Sequence, residues 1–551
     1  MNEKIKVNVV GHGSTELTPG TSLHELCKNY EFPRSILLAK VDNELKELHN
    51  PLLYDSTVEF LDISDANGYR VYQRSVSFLM LYAVKKLLDT RVVIAHSINK
   101  NYYCEMPELA EPITDELLGK IEREMEEVVR AAKPITKSSM PLAMGVRTAA
   151  NMGLEDKVEL LKYRRTSSVN FYELDGFYNY FYGQLVPNTA VLQSFKLSRR
   201  SKGFLLQFPA ASHGYELTEP APNLKISEVF EESNQWARVL NIDTVGSLNN
   251  KLCSTGVREL IRVTEALHEK KIANLADQIV NGRKRIVLIA GPTSSGKTTF
   301  ASRLAVQLRV NGVQPYVISL DNYYLNRTET PRDAEGNYDF ETIKALDVAQ
   351  INQDISALLE SKTVQLPSYN FLTGMREYKG HQLALAPNDV LIMEGIHGLN
   401  EAIGDGISRN DAFRIFISAL TQLNIDDHNR IPTGDTRLLR RIVRDYQFRG
   451  YTAERTIAMW PSVMRGEGNY IFPFQEEADA FFNSALVYEM CVLKQFAEPM
   501  LFSIDKSQPS HTEAKRLIKF LDCFLGVSGE FIPPNSILRE FVGGSCFSHG
   551  H

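Results

Sequence analysis

Nowhere in the 551-residue chain do eighteen uncharged apolar residues run together, so no helix able to cross a bilayer is expected. The N-terminal MNEKIKVNVV lacks an apolar core of export-signal length. Cysteine is sparse and scattered at Cys27, Cys104, Cys253, Cys491, Cys523 and Cys546. None of these falls in a CxxC or Cys/His pair with ligand spacing, which excludes a disulfide framework and a zinc site as expectations. An excess of charge is also missing: 61 Lys and Arg stand against 67 Asp and Glu, a net of −6. That balance gives no general attraction to nucleic acid or to anionic membranes. These absences suggest a soluble cytoplasmic protein with reduced thiols. Neither a membrane nor a nucleic-acid partner is expected, and a homo-oligomer is compatible with the composition.

What is present starts with GPTSSGKTT at residues 291–299, directly behind the apolar run RIVLIA at 285–290. The spacing GxxxxGK(S/T) carries a mechanism. Gly291 and Gly296 let the backbone curl so that its N–H groups point inward at phosphates, and the following helix adds its positive end. Lys297 neutralises phosphate charge, and the Thr298 hydroxyl is placed to ligate Mg²⁺. Chance co-occurrence of the four fixed residues in a chain of this length is about 0.02. Gly291, Pro292, Thr293, Ser294, Ser295, Gly296, Lys297, Thr298 and Thr299 are therefore expected to hold the phosphates of ATP, with Mg²⁺ as companion ion.

A chain this long suggests roughly three or four domains. Behind the loop the pattern predicts a helix over 297–310 stopped by Asn311 and Gly312. Strands follow at 316–320, 389–393 and 413–418, with Asp321 after the first of these and Glu394 after the second. Strands alternating with helices predict a doubly wound parallel sheet over 284–525, with ligands at the carboxyl ends of its strands. A tail, 526–551, is expected only to pack back on it. Residues 221–283 predict a helical connector whose apolar stripe runs through Ile226, Val229, Phe230, Val257, Leu260, Ile261, Val263 and Leu267, with Glu269, Lys270 and Lys271 on other faces. Residues 1–64 alternate at Ile5, Val7 and Val9, turn at Pro19 and Gly20, and offer Thr21 as the cap of a short helix over 23–27. Strand-like pieces at 36–41 and 58–61 complete a small mixed α/β unit.

LTPGTSLHELC, AKVDNELKEL and LLYDSTVEFLD, all within residues 1–64, resemble the TGS module, a β-grasp domain at the front of threonyl-tRNA synthetases. GYRVYQRSVSFLMLYAVKKL and YGQLVPNTAVLQSFKLS extend that resemblance over 65–220 into the α+β second domain of the same family. The TGS resemblance implies RNA or small-ligand sensing. Residues 1–64, however, hold 6 Lys/Arg against 10 Asp/Glu, which opposes phosphate-driven RNA binding. The second domain's resemblance implies a HxxxH and a CxxxH pair around an editing site. Here those positions carry Arg74, Phe78, Phe181 and Leu185, which neither bind a metal nor move a proton. The scaffold is expected without the chemistry.

SLDNYY at 319–324, NYDFE at 337–341, LPSYNF at 366–371, IMEGIHGL at 392–399 and DTRLLRRIVRD at 435–445 follow the phosphate loop in one order. With that loop they resemble the uridine kinase and phosphoribulokinase family across 285–525. The resemblance implies an ATP-dependent kinase with a small-molecule substrate, acting on the ribose 5′-OH of a uridine- or cytidine-like nucleoside. It implies that Asp321 accepts the proton of the attacking hydroxyl, that Glu394 meets Mg²⁺ together with Thr298, and that Tyr324, Asp339 and Tyr369 touch the acceptor. Arg437, Arg440, Arg441 and Arg444 recur at helical intervals, as a lid stripe that closes over polyphosphate or as a solvated face. Arg441 and Arg444 are the catalytic candidates, Arg441 also facing the acceptor, and Arg449 is assigned to the nucleotide. From residues alone, the alternative for a strand-end Asp321 is a helix cap or a metal-shell aspartate, and for Glu394 a plain structural acid.

The acceptor region departs from that family. Gly374 stands where uridine kinases place a base-reading histidine, Tyr451 replaces a lid arginine, and Met459 a ribose-contacting glutamine. Two alternatives follow: a kinase of another sugar or polyol, or a nucleotide-dependent RNA- or ribosome-associated regulator, which requires a basic front half. Arg465, Glu467 and Tyr470, within residues 460–479, are candidate walls of a different acceptor pocket. His397 is either a substrate contact or a hydrogen-bonded structural histidine.

Overall fold

A computed structural model describes residues 4–98, 100–210, 214–218, 224–254, 256–333, 336–421 and 423–547. Five parallel strands carry the second half of the chain, in the order Pro315–Ser319, Val390–Glu394, Ile286–Ala290, Ala412–Ser418 and Ala480–Asn483. The first four correspond to the expected runs, shifted by a residue or so. The fifth was not anticipated, because four residues are too few to display a period. Every residue of Ile286–Ala290 is buried, as a central parallel strand requires. Its side chains alternate between two apolar layers. Val287 and Ile289 pack with Leu304, Leu308, Ile272 and Leu275 on one face, while Ile286 and Leu288 pack with Ile351, Ile355 and Leu358 on the other. Helices thus cover both faces, which leaves the strand ends as the place where polar chemistry is free to gather.

The connector forms three helices, Leu224–Leu240, Val245–Ser254 and Val257–Asn281. The side chains of Ile226 and Phe230 lie outside the described residues, whereas Val229, Leu260 and Ile261 are buried. The stripe on the third helix is interrupted by buried polar groups. Arg303, on the helix behind the phosphate loop, donates to Glu269 at 2.7 Å, and Tyr488 donates to Glu265 at 2.8 Å. The connector is therefore keyed to the loop helix by charge as well as by hydrocarbon.

In front, Gly13–Leu17, Ile5–Val9, Ser56–Leu61, Leu38–Val41 and Glu44–Lys46 form a five-stranded mixed sheet in that order, beside the helix Leu23–Cys27. Ser22, not Thr21, caps that helix. The Ser22 hydroxyl accepts from the Glu25 amide at 3.2 Å and the Glu25 carboxylate accepts from the Ser22 amide at 2.9 Å, because only Ser22 has a glutamate three residues on. Beyond it, helix Ala66–Leu88 lies among a four-stranded and a three-stranded antiparallel sheet. The two halves are tied by specific bonds. The Ile94 amide donates to the Asp427 carbonyl at 2.8 Å, and the fully buried Lys157 reaches Asp426 at 2.8 Å. One apolar cluster runs from Met140 and Phe171 through Ile261 to Ile415 and Phe541. No helix among the described residues is long and apolar enough to cross a membrane.

Candidate active site

The loop after Ile286–Ala290 turns through Ser294 at φ +57° and Gly296 at φ +85° before the helix Lys297–Val310 begins. A Cβ on Gly291 would lie 2.1 Å from the Ile417 carbonyl oxygen, so the motif's first glycine answers to the neighbouring strand as much as to a ligand. Lys297 folds over the loop and donates to the carbonyls of Gly291 at 3.0 Å and Pro292 at 3.2 Å. Thr298 donates to Glu394 at 3.3 Å, bringing together the two residues assigned to the metal. Mg²⁺ keeps several waters and takes phosphate oxygens beside one or two protein ligands. A hydroxyl and a carboxylate at the mouth of a phosphate loop fit that set.

Asp321 sits in the turn Leu320–Tyr323 after the strand Pro315–Ser319. Burial pushes its carboxyl above the usual aspartate range, against the pull of Lys297, Arg449 and Arg444. Glu394 is pushed up to about 7 by burial and by the charge of Asp321, with Lys297 opposing. Lys297, Thr298, Asp321 and Glu394 therefore share one electrostatic neighbourhood, although 96 positions separate Thr298 from Glu394.

The arginines of helix Thr433–Phe448 divide into two sets. Arg437 and Arg440 are buried and pair with Glu467 and Glu489. Arg437 also donates to the Thr293 carbonyl at 3.3 Å, and Arg440 to the Ser294 carbonyl at 3.3 Å and the Ser484 carbonyl at 2.8 Å. These two brace the loop from behind and do not form the ligand-facing stripe expected of them. Arg441, Arg444 and Arg449 instead converge on Asp445, at 3.2, 2.8 and 3.7 Å. Asp445 is the one carboxylate at ion-pair distance of all three among the described residues, while Asp321 and Glu341 act on them from farther away. The like charge of Arg444, with burial, lowers Arg449 to about 10. An arrangement that strained is relieved by an anion.

Tyr324 and Tyr369 stand 5.5 Å apart between ring centroids, with Phe371 5.1 Å from Tyr369 and Arg449 above the Phe371 ring at 5.9 Å. They form an aromatic wall next to Asp321. Asp339 turns back to accept from the Glu341 amide at 3.1 Å. Glu341, which sequence reasoning passed over, enters the site instead. Burial and the charges of Glu467 and Asp321 raise it to about 7, opposed by Arg441 and Lys297. At Gly374, φ is +72° and the Arg327 side chain comes to 2.7 Å from where a Cβ would lie, so an arginine fills the space around the missing histidine. His397 is buried beside the Glu341 and Thr342 carbonyls and burial lowers it to about 4, holding it neutral. Glu467 is no pocket wall: it accepts from the Thr293 amide at 3.0 Å.

The tail does more than pack. Glu540, on the short helix Arg539–Val542, accepts from the Thr299 amide at 3.2 Å and from its hydroxyl at 2.8 Å. Ile537 lies against Gly296, and Phe541 lies 5.0 Å beneath Arg440. A carboxylate thus holds donors that the loop motif reserves for phosphate. Glu540→Gln keeps an acceptor and removes the charge. It is expected to tighten ATP binding about fivefold, the worth of roughly 1 kcal/mol between unit charges about 4 Å apart in water. Equilibrium titration with a fluorescent ATP analogue checks this, and weaker binding would assign Glu540 a purely supporting role.

In the front half, Phe78, Phe181 and Leu185 are buried hydrocarbon and the Phe78 and Phe181 rings pack edge-on at 6.0 Å. Arg74 donates to the Gln184 carbonyl at 2.8 Å. Among the described residues no group of three or more His, Cys, Asp or Glu could hold a metal.

Residues 286–489 match the phosphoribulokinase/uridine kinase family. A uridine kinase from Macrococcus caseolyticus is 30% identical over 195 residues, 35% of this chain and 85% of the relative. A uridine kinase from Halobacterium salinarum is 29% identical over 192 residues, 35% of this chain and 76% of the relative. The N-terminal region matches threonine–tRNA ligases, among them threonine–tRNA ligase 1 of Bacillus subtilis, 26% identical over 201 residues. That match takes in 36% of this chain and 31% of the ligase, so the chain spans about a third of the ligases it resembles. A solved structure described as a possible uridine kinase from Bacillus stearothermophilus aligns at 18% identity with a TM-score of 0.28, over 39% of this chain and 98% of that one.

Proposed function

Because the chain belongs to the phosphoribulokinase and uridine kinase family, we propose that its second half transfers the γ-phosphoryl group of ATP to a hydroxyl of a small molecule, the ribose 5′-OH of a nucleoside being the favoured acceptor. The observation that carries this reading is the convergence of Lys297, the Thr298–Glu394 pair and Asp321 at the strand ends, with Arg441, Arg444 and Arg449 nearby. Phosphoryl transfer asks a protein for positioning and charge compensation rather than covalent help. Lys297 and the loop amides bind the phosphate tail, and the arginine trio offsets the charge that spreads over the transferring group. Asp321 orients the acceptor hydroxyl and takes its proton. Its raised proton affinity brings it nearer the operating pH, where a general base works best. Tyr324, Tyr369 and Phe371 supply a stacking wall for a base or sugar. Thr298 and Glu394 would hold a Mg²⁺ ion, which would supply Lewis-acid polarisation of the phosphates.

The domain reading that goes with this assigns 1–64 to a TGS-like β-grasp unit, 65–220 to a catalytically silent synthetase-type domain, 221–283 to the connector, 284–525 to the kinase and 526–551 to the tail. Arg327 packed around Gly374 favours a second reading of the acceptor as another sugar or polyol, since the usual base-reading group is replaced by a cation. The deciding experiment incubates the full chain with ATP and Mg²⁺ and a panel of nucleosides, sugars and polyols, following ADP release. Acceptor-dependent turnover that disappears in Lys297→Ala supports the kinase. ADP release equal with and without every acceptor refutes it.

Glu341 gives a pH test. Its folded-state proton affinity is raised, to about 7 from the ordinary 4.5. The stability it permits is therefore fully present below about 4.5 and lost as pH climbs through about 7, where the fold must bury an ionised carboxyl. Glu341→Gln, neutral at all pH, is expected to raise Tm at pH 8 and to leave it nearly unchanged at pH 4.5. Thermal melts at the two pH values check this. An equal shift at both would mean that Glu341 titrates normally.

A further inference from the structure

The loop that leads from strand Ala412–Ser418 into the arginine helix Thr433–Phe448 is held by the front half of the chain. Its residues 423–429 are all buried. In the four-stranded front sheet, Val93–Ile98 is an edge, with Asn101–Glu105 as its one strand neighbour among the described residues. An edge strand presents unpaired amides and carbonyls, and the loop takes both of those at Ile94. The Ile94 amide donates to the Asp427 carbonyl at 2.8 Å, and the Asn424 side chain donates to the Ile94 carbonyl at 2.8 Å. Just before that strand, Arg91 holds the Asp427 carboxylate with two bonds, at 2.7 and 2.9 Å. Lys157 donates to Asp426 at 2.8 Å, the Asp427 amide to Asp156 at 2.8 Å, and Asn429 to the Tyr180 carbonyl at 3.2 Å.

A second anchor lies in the first turn of the arginine helix itself, at Asp435. Arg516 donates to Asp435 at 2.6 and 2.7 Å and to Glu513 at 2.6 and 2.9 Å. Glu513 in turn accepts from Arg70, on the front helix Ala66–Leu88, at 3.1 Å. The Arg516 and Asp435 side chains are only 9% and 6% exposed, so these charge-assisted bonds are little weakened by water. The front half therefore fixes both the approach to the helix and its start. Farther along, the same helix carries Arg437 and Arg440 behind the phosphate loop, and Arg441 and Arg444 on Asp445. The backbone bonds of a helix move it as one body, so a shift at Asp435 is felt at every one of these guanidiniums.

We infer that Arg70 and Arg91, in a domain without chemistry of its own, are positioning residues for phosphoryl transfer. Arg91 acts through Asp427, and Arg70 through Glu513, Arg516 and Asp435, and both act on the arginine helix. Arginines that offset developing charge do so only when their positions are set beforehand, and a misplacement of about 1 Å costs up to about 100-fold. The front half is thus a working part of the transferase.

The activity arm of the test rests on the kinase reading, and a second arm does not. In the full chain, Arg91→Met and Arg70→Met are each expected to lower kcat about tenfold or more, with KM for ATP within about threefold, because Lys297 and the loop amides are untouched. Arg91→Lys, which keeps the charge but not the two-pronged bond, is expected to recover part of the loss. Lys86→Met, which breaks an ion pair within the front half, is expected to leave kcat unchanged. All assays are run well below the melting temperatures. The second arm follows amide hydrogen exchange without substrates. Peptides from 433–448 are expected to exchange about tenfold faster in Arg91→Met and Arg70→Met, and those from helix Val348–Leu359 to stay as they were. Should Arg91→Met fail to fold, Arg70→Met still decides, since Glu513 keeps Arg516. If the unaltered protein shows no acceptor-dependent turnover, the kinase reading fails and exchange alone judges the two anchors. Unchanged kcat in Arg91→Met and Arg70→Met, a loss matched by Lys86→Met, or exchange at 433–448 that is unchanged or no faster than elsewhere overturns the inference.

Discussion

Replacing Asp321 by asparagine lowers kcat about 10²- to 10⁴-fold, the range a positioned general base supplies, while ATP affinity stays within about threefold. Asparagine keeps the size and one oxygen of the side chain but cannot take up a proton. The loop bonds of Lys297 and the Thr298–Glu394 pair do not pass through Asp321, so nucleotide binding has no reason to fail. Loss of folding is no competing explanation. Burial raises the proton affinity of Asp321, so its ionised form costs stability as pH rises, and a neutral isostere removes that cost. The Tm of Asp321→Asn at pH 8 should therefore equal or exceed that of the unaltered protein. Single-turnover assays with a saturating acceptor, together with melts, make the check. A variant that retains acceptor-dependent turnover would remove Asp321 from the chemistry.

Arg440→Met destabilises the protein by about 3–5 kcal/mol, the cost of breaking a buried ion pair from one side. Arg440 has no exposed surface, and Glu489 is pushed above the usual glutamate range by burial, with the charge of Arg440 opposing. Deleting the guanidinium leaves that carboxylate alone in the core and frees the carbonyls of Ser294 and Ser484. Adding Glu489→Leu removes the orphaned charge and should restore part of the loss. Lys86 and Glu124 are as close, at 2.6 Å, but Lys86 is half exposed, so Lys86→Met should cost about 1 kcal/mol or less. Denaturant unfolding of the four proteins checks the series. An Arg440→Met protein as stable as Lys86→Met would show that the arginine is not what holds the loop.

The same helix shows where sequence reasoning ran short. Intervals of three and four placed Arg437, Arg440, Arg441 and Arg444 along one stripe, but spacing says nothing about what faces the stripe. Glu467 and Glu489 claimed two of the arginines for the interior, and Asp445 gathered the other two with Arg449. In the acceptor loop, NYDFE carried two acids, and local order gave no reason to prefer Glu341 to Asp339. The choice rests on Asp339 bonding the Glu341 backbone and on where the aromatic wall stands. The four-residue strand Ala480–Asn483 was invisible for lack of a period.

What the sequence by itself determined are the features made by consecutive residues. These are the phosphate loop and the helix it opens, the buried strand before it, the acids that end two neighbouring strands, and the absence of any span long enough for a membrane. Each follows from local backbone chemistry or from a period that a short window displays. Tertiary structure alone decided which arginines hold the loop and which gather on Asp445. It also brought Glu540 to Thr299 across 241 positions. Charge pairing in a folded chain depends on distance in space and on exclusion of water, and neither is written in the order of the residues.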